Sequence, residues 1–242
     1  MTYGCGLQLR IGLAQMELKL GDIEFNVNQA KELLNHADRD QVDVLVLPEM
    51  ANSGYYFDSY EDAKQCSEKI PTGPLSKELI KWSRNGRLIV AGINESAENG
   101  LYNSASIMVD GTHIGTYRKH HLYGSEKEWF LRGPVEPLVF KYNELSFSVV
   151  ICFEWNFPKR IKNAASKGAK IILHPVNSSN YRWRDAMRDI AMDNGVFTAS
   201  ANRVGREGEC TFSGESSIID PDGEIILKMD SQSHQVEWID IE

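Results

Sequence analysis

Three residues with the side chains for covalent chemistry stand at comparable places along the chain. Glu49 follows the apolar run Val44 to Leu47, Lys119 follows Ile114 to Tyr117, and Cys152 ends the run Phe147 to Ile151. Strand carboxyl ends are where α/β folds gather reactive groups. A free thiol has a pKa of about 8.5 and is only slightly ionised at neutral pH, so a nucleophilic cysteine needs a base or a cation beside it. A glutamate and a lysine are those two partners. Each residue alone has a plainer explanation: a solvated cap for Glu49, an exposed basic turn for Lys119 in Tyr117-Arg118-Lys119-His120-His121-Leu122-Tyr123, and a core thiol for Cys152 between Ile151 and Phe153. Pro48 removes a backbone donor at the strand exit and stiffens the approach to Glu49.

The elements that must carry these residues follow from periodicity. Leu7 to Leu13 alternates as a half-buried strand; Val27, Ala30, Leu33 and Leu34 share one helical face; Val44 to Leu47 reads as a strand buried on both faces. A helix is expected from Leu75 to Trp82, then a strand from Leu88 to Gly92. Ser104 to Val109 and His113 to Tyr117 flank Asp110-Gly111, a dipeptide suited to a tight hairpin turn. The strand that delivers Cys152 follows a turn at Asn143-Glu144. Pro158 suits a helix start and Gly168 its stop, Ala169 to Leu173 reads as the next strand, and Trp183, Ala186, Met187, Ile190 and Ala191 keep helical spacing up to Gly195. The strand Val196 to Ala201 and a hairpin around Pro221-Asp222-Gly223 complete the order. The long connection from Lys119 to Pro137 contains Trp129 and Phe130 and is expected to be ordered.

Helical and strand signals mix over 242 residues without a repeat or a linker, which predicts one layered α/β domain over 1–242. Hydrophobic residues make up 42% and charged residues 25%, enough apolar material for a sizeable core. A formal net charge of -8 with no basic patch argues against a nucleic-acid partner. Met1 to Gly6 lacks the pattern of a signal peptide and no apolar run suits a membrane span, so a cytoplasmic protein is expected. Cysteines 5, 66, 152 and 210 are far apart, with no Cys-x-x-Cys pair, and reduced thiols are expected.

Taken together, Leu47-Pro48-Glu49-Met50, Tyr117-Arg118-Lys119-x-His121-Leu122-Tyr123 and Val150-Ile151-Cys152-Phe153-Glu154-Trp155-Asn156-Phe157-Pro158 resemble, in order and spacing, the three catalytic motifs of the nitrilase superfamily. The likeness extends through Leu101-Tyr102-Asn103-Ser104, Asn202-Arg203-Val204-Gly205, Ser213-Gly214-Glu215-Ser216 and Asp220-Pro221-Asp222-Gly223. It implies a four-layer α-β-β-α sandwich, a Glu49-Lys119-Cys152 triad, no cofactor or metal, and a homodimer or larger assembly built through helices beside the active site. By the same likeness Glu126 matches a second glutamate that positions substrate and the catalytic lysine, with Glu128 as a nearby rival. Glu154 stands where many members carry aspartate, and Leu131-Arg132-Gly133 replaces a common Thr-Pro-Gly.

The implied activity is hydrolysis of a small amide through a thioester on Cys152, with the Phe153 N–H helping Lys119 to stabilise the oxyanion. A nitrile could enter the same chemistry, and a non-catalytic binding protein that kept the fold is the reading from another class. Glu154 and Trp155 are expected to shape the pocket, with Asn177 and Asn202 reaching its rim from successive strands, whereas Trp183 and Met187 suit core packing. A papain-like pair would need His120, His121 or His174 as base, yet the Cys-Gly-x-Cys-aromatic signature is absent. No histidine spacing suits a metal hydrolase.

Overall fold

The computed structural model describes residues 8–242. Met1 to Leu7, which include Cys5 and the first residue of the strand expected from Leu7 to Leu13, lie outside the described residues. The first sheet contains β1 (Leu9–Glu17), β2 (Val44–Val46), β3 (Leu88–Ala97), β4 (Gly100–Val109) and β5 (Thr112–Arg118). The second contains β6 (Val139–Tyr142), β7 (Leu145–Val149), β8 (Ile171–Pro175) and β9 (Phe197–Ala201). The chain then returns to the first sheet with β10 (Arg203–Val204), makes a small ribbon of β11 (Arg206–Glu207) and β12 (Cys210–Thr211), adds β13 (Ser217–Ile219) and β14 (Ile225–Lys228) to the second sheet, and closes with β15 (Gln235–Ile241) against β1. Strand order is β10-β1-β2-β3-β4-β5 in the first sheet and β14-β13-β9-β8-β7-β6 in the second.

Alternation along β1 explains the layering. Leu9, Ile11 and Leu13 face the other sheet and pack in one cluster with Phe147, Val149, Leu173, Ala199 and Ile218. Ala14 and Met16, of opposite parity, face α1 (Ile23–Arg39) and, with Leu33, Leu34, Leu79 and Trp82, join a second cluster. α2 (Tyr60–Gln65) is a short intervening helix, and α3 (Pro74–Trp82) adds Leu79 and Trp82 to that outer layer. Beyond α4 (Glu126–Trp129), the helices α5 (Pro158–Ser166) and α6 (Arg182–Asn194) cover the far face of the second sheet through Ile161, Trp183, Met187 and Ile190. Three apolar clusters thus separate four layers in the order helix, sheet, sheet, helix. Truncating one of the fully buried leucines between the sheets to alanine costs roughly 2–5 kcal/mol.

Local expectations held where the signals were strong. The Asp110-Gly111 turn joins β4 to β5 with Asp110 at φ 48°. α6 ends at Gly195 in the left-handed region, φ 60°. The Lys119 to Pro137 connection is ordered around α4, with Phe130 buried. Several elements were not anticipated, among them α2, α4, the 3-10 turn Cys152–Asn156, the short strands β10, β11 and β12, and β15. β15 escapes a period-two reading because Val236 packs toward the helix layer while Ile241 packs between the sheets, leaving apolar residues on both faces.

Candidate active site

Glu49, Lys119 and Cys152 leave their strands at the same end of the two facing sheets. The N–H of Glu49, which follows β2, donates to the carbonyl of Val176 after β8 at 3.3 Å, tying the first sheet to the second beside the site. Glu49 has no accessible surface, and its peptide lies so close to β3 that only a glycine fits at position 92. Lys119, equally buried, donates from Nζ to Glu49 Oε1 at 2.8 Å and to Glu126 Oε1 at 2.7 Å. Glu126 is buried at the start of α4 and Glu128 is exposed, so it is Glu126 that reaches the lysine.

Cys152 opens the 3-10 turn at the end of β7 with φ 42°, in the left-handed region that costs a non-glycine residue on the order of 1–3 kcal/mol. Its thiol donates to the carbonyl of Asn177, Sγ to O 3.7 Å. The His174 Nε2–H donates to the Cys152 carbonyl at 3.0 Å, and Ser200 Oγ donates to His174 Nδ1 at 3.0 Å. Burial pulls the His174 pKa down to about 4, so the ring is neutral and fixes this tautomer. His174 therefore holds the elbow by its backbone and has no lone pair facing the sulfur. Phe153, second in the turn, carries an N–H with no intrahelical acceptor.

Electrostatically the cluster is a buried ammonium among carboxylates. Burial opposes the charged form of Lys119, but Glu126 and Glu49 outweigh it and raise its pKa. Burial also raises Glu49; Lys119 acts against that shift and the Glu126 charge adds to it. The Cys152 thiol is pushed well above its usual range, first by burial and then by the Glu49 carboxylate, with Lys119 working the other way. A resting thiol is thus favoured over a standing thiolate. Glu49 Oε2 is buried without a hydrogen-bond partner among the described residues, which leaves a lone pair uncommitted.

The structure brings in two residues that sequence reasoning gave no role. Asn103 Nδ2 donates to Glu49 Oε1 at 2.7 Å and to Glu126 Oε1 at 3.2 Å. Tyr55 donates its hydroxyl to Glu126 Oε1 at 2.7 Å. Asn103 sits within the Leu101 to Ser104 motif, which was a usable signal; Tyr55 lies in an irregular segment with none.

Two residues expected to line the pocket spend their polar atoms within the protein. Glu154 is fully buried, and both of its oxygens are occupied: Oε1 accepts from the N–H groups of His120 (3.0 Å) and His121 (3.2 Å), and Oε2 accepts from the Tyr117 hydroxyl and the Ile151 N–H (3.0 Å). Burial alone would raise its pKa, but His121, Tyr117 and Arg160 hold it below the usual carboxylate range. Glu154 therefore ties the Lys119 strand end to the Cys152 turn and has nothing left for a substrate. Asn202 is likewise saturated, accepting from Ser178 N–H (2.9 Å) and donating to the carbonyls of Ser178 (3.1 Å) and Gly214 (2.9 Å). Trp155 is half-buried against the Ile161 and Trp183 cluster. Asn177 differs from all of these, since both polar atoms of its buried amide lack a partner. No group of His, Cys, Asp and Glu among the described residues could hold a metal ion.

This arrangement defines a chain of the carbon–nitrogen hydrolase class: residues 10–242 match the family model for carbon-nitrogen hydrolases, and the chain belongs to that family. It is an enzyme of the nitrilase superfamily. Among its relatives is a nitrilase of Pyrococcus abyssi, 35% identical over 94% of this chain and 87% of its own length. An N-carbamoylputrescine amidase of Arabidopsis thaliana is 29% identical, covering 89% of this chain and 80% of its own. In fold, the chain matches an amidase from Nesterenkonia sp. AN1 with a TM-score of 0.83 at 22% identity, over 97% of this chain and 93% of that one.

Proposed function

We propose that this protein hydrolyses the C–N bond of a small amide, releasing ammonia and a carboxylic acid, with Cys152 as nucleophile, Glu49 as general base and acid, and Lys119 as electrostatic stabiliser. The observation that carries this reading is the fully buried ion pair Lys119 to Glu49 with Glu49 Oε2 left free, in electrostatic reach of a thiol held in strained backbone.

Glu49 takes the Cys152 proton as sulfur attacks the carbonyl carbon, and the π electrons move onto oxygen. Lys119 and the Phe153 N–H stabilise that oxyanion; losing one such donor typically costs roughly 100- to 1,000-fold in rate. Collapse breaks the C–N bond as Glu49 returns the proton to the leaving nitrogen, giving ammonia and a thioester. Glu49 then deprotonates water, hydroxide adds to the thioester, and the second collapse expels the thiolate, which recovers the proton. Glu126, fixed by Tyr55 and Tyr123, orients Lys119. The orphaned Asn177 amide offers one donor and one acceptor to a bound substrate.

The nitrilase relative supports a second substrate class, since attack on a nitrile gives a thioimidate that hydrolyses to the same thioester. We further propose that residues 1–242 act as one domain, in the cytoplasm, as a homodimer or larger assembly; no described helix is long and apolar enough to cross a membrane. The deciding experiment assays ammonia release from a panel of amides, carbamoyl compounds and nitriles, with intact mass spectrometry after brief exposure. An acyl adduct on the Cys152 peptide supports the reading and its mass identifies the acyl group. Turnover unchanged in Cys152→Ala refutes the nucleophile, and no wild-type turnover on the whole panel favours a binding protein.

A further inference from the structure

The Tyr55 hydroxyl ends on Glu126 Oε1, the same oxygen that accepts Lys119 Nζ and Asn103 Nδ2. What aims Tyr55 is a carboxylate from the small ribbon, far along the chain and outside the chemistry described above. Glu207, buried in β11, accepts at Oε2 from two successive backbone groups, the N–H of Tyr55 (3.1 Å) and the N–H of Tyr56 (3.0 Å). Its Oε1 pairs with the Arg203 guanidinium, which is itself fully buried, donates to the Leu18 carbonyl and lies 4.0 Å over the Phe212 ring. Gly54 admits this approach: at φ +79°, a β-carbon there would stand 2.6 Å from Glu207 Oε1 and 2.7 Å from Leu20 Cα. The Tyr56 ring stacks on Phe212, the residue that follows β12, with ring centroids 6.1 Å apart and planes inclined by 28°.

We infer that Arg203 and Glu207 form a positioning pair that sets the Glu126 oxygen, and through it the Lys119 ammonium, by clamping the backbone N–H groups of Tyr55 and Tyr56. Hydrogen bonds to an ionised acceptor are the shorter, stronger kind, and two from adjacent peptides remove the rotation that would swing the Tyr55 ring. Arg203, buried with it, pairs with Glu207 Oε1 and fixes the carboxylate in place. The segment bearing Tyr55 is irregular and has no strand ladder of its own to hold it, so the clamp is what gives the phenol a fixed direction. This inference rests on the proposed function, because it assigns the pair a purpose in that site.

The test compares wild type with Glu207→Gln, Tyr55→Phe and the double variant. The rate at which chloroacetamide alkylates Cys152 is followed by peptide mass spectrometry across pH, with thermal unfolding measured alongside. Each single variant is expected to slow Cys152 by about ten- to a hundredfold, as displacement of a catalytic group by about 1 Å does, and the double variant to be no slower than the slower single. Equal rates and pH profiles in Glu207→Gln and wild type, or effects that multiply in the double variant, overturn the proposal. A crystal structure of Glu207→Gln gives a readout that needs no reactivity: retention of the Tyr55 to Glu126 contact overturns the pair's role even if Cys152 proves inert, an outcome that would separately refute the proposed function. Should Glu207→Gln fail to fold, Arg203→Lys keeps the charge and carries the same two expectations.

Discussion

Gly92 and Glu49 are in contact through their backbones. A β-carbon on Gly92 would stand 2.3 Å from the Glu49 α-carbon and 2.5 Å from the Pro48 carbonyl oxygen, while the Gly92 N–H donates to that same oxygen at 3.0 Å. The absent side chain in β3 is therefore what lets the strand end carrying Glu49 settle onto the sheet.

Gly92→Ala is expected to displace Glu49 or to destabilise the fold by about 1–3 kcal/mol, the usual cost of overpacking. Activity should fall further than stability, because roughly 1 Å of misplacement can cost about 100-fold in rate. Urea unfolding paired with ammonia-release kinetics reads both, and wild-type values for both would mean the contact is slack.

Removing the Lys119 ammonium leaves Glu49 and Glu126 facing each other in a buried site. Lys119→Ala is expected to destabilise by about 3–5 kcal/mol, the cost of breaking a buried pair by deleting one partner. Restoring stability by also changing Glu126 to Gln would show that carboxylate repulsion is the cause; equal instability of the single and double variants would point elsewhere.

The base form of Glu49 is the carboxylate, and its pKa is raised, with burial the largest cause. Activity must therefore be lost as pH falls through a value above the ordinary glutamate pKa of about 4.3. A kcat/KM profile whose acid limb lies at or below that value contradicts Glu49 as the titrating base.

His174 is expected to make stability depend on pH. Its folded pKa is depressed to about 4, so its contribution is fully present above the unfolded value of about 6.5 and is lost as pH falls toward 4. Between pH 7 and 4.5 this should remove on the order of 2–3 kcal/mol. Denaturant unfolding of wild type and His174→Gln at the two pH values isolates the effect; parallel losses in the two proteins would exclude His174 as the source.

Much of the frame was legible before any coordinates. The hairpin at Asp110-Gly111, the helix ending at Gly195 and the strands leading to Glu49, Lys119 and Cys152 all appear where periodicity and turn chemistry put them. β15 was not legible, because a strand with apolar residues on both faces of a short edge has no clear period. The partners of Glu154 and Asn202 were not legible for a related reason: sequence position says that a polar side chain is near the site, not which backbone groups will saturate it.

By itself, the sequence determined which strand ends carry a carboxylate, an ammonium and a thiol, since a strand's register and exit depend on neighbours a few residues away. Only the tertiary structure decided that Lys119 Nζ lies between Glu49 and Glu126, that Tyr55 completes that oxygen's shell, and that Glu207 holds Tyr55 from a ribbon at the far end of the chain. Lys119 and Glu126 are seven residues apart, but the other partners are separated by 70 to 152 residues, and their contact is set by how the elements pack in three dimensions. That geometry comes from the summed fit of the apolar layer between the two sheets, which no local pattern encodes.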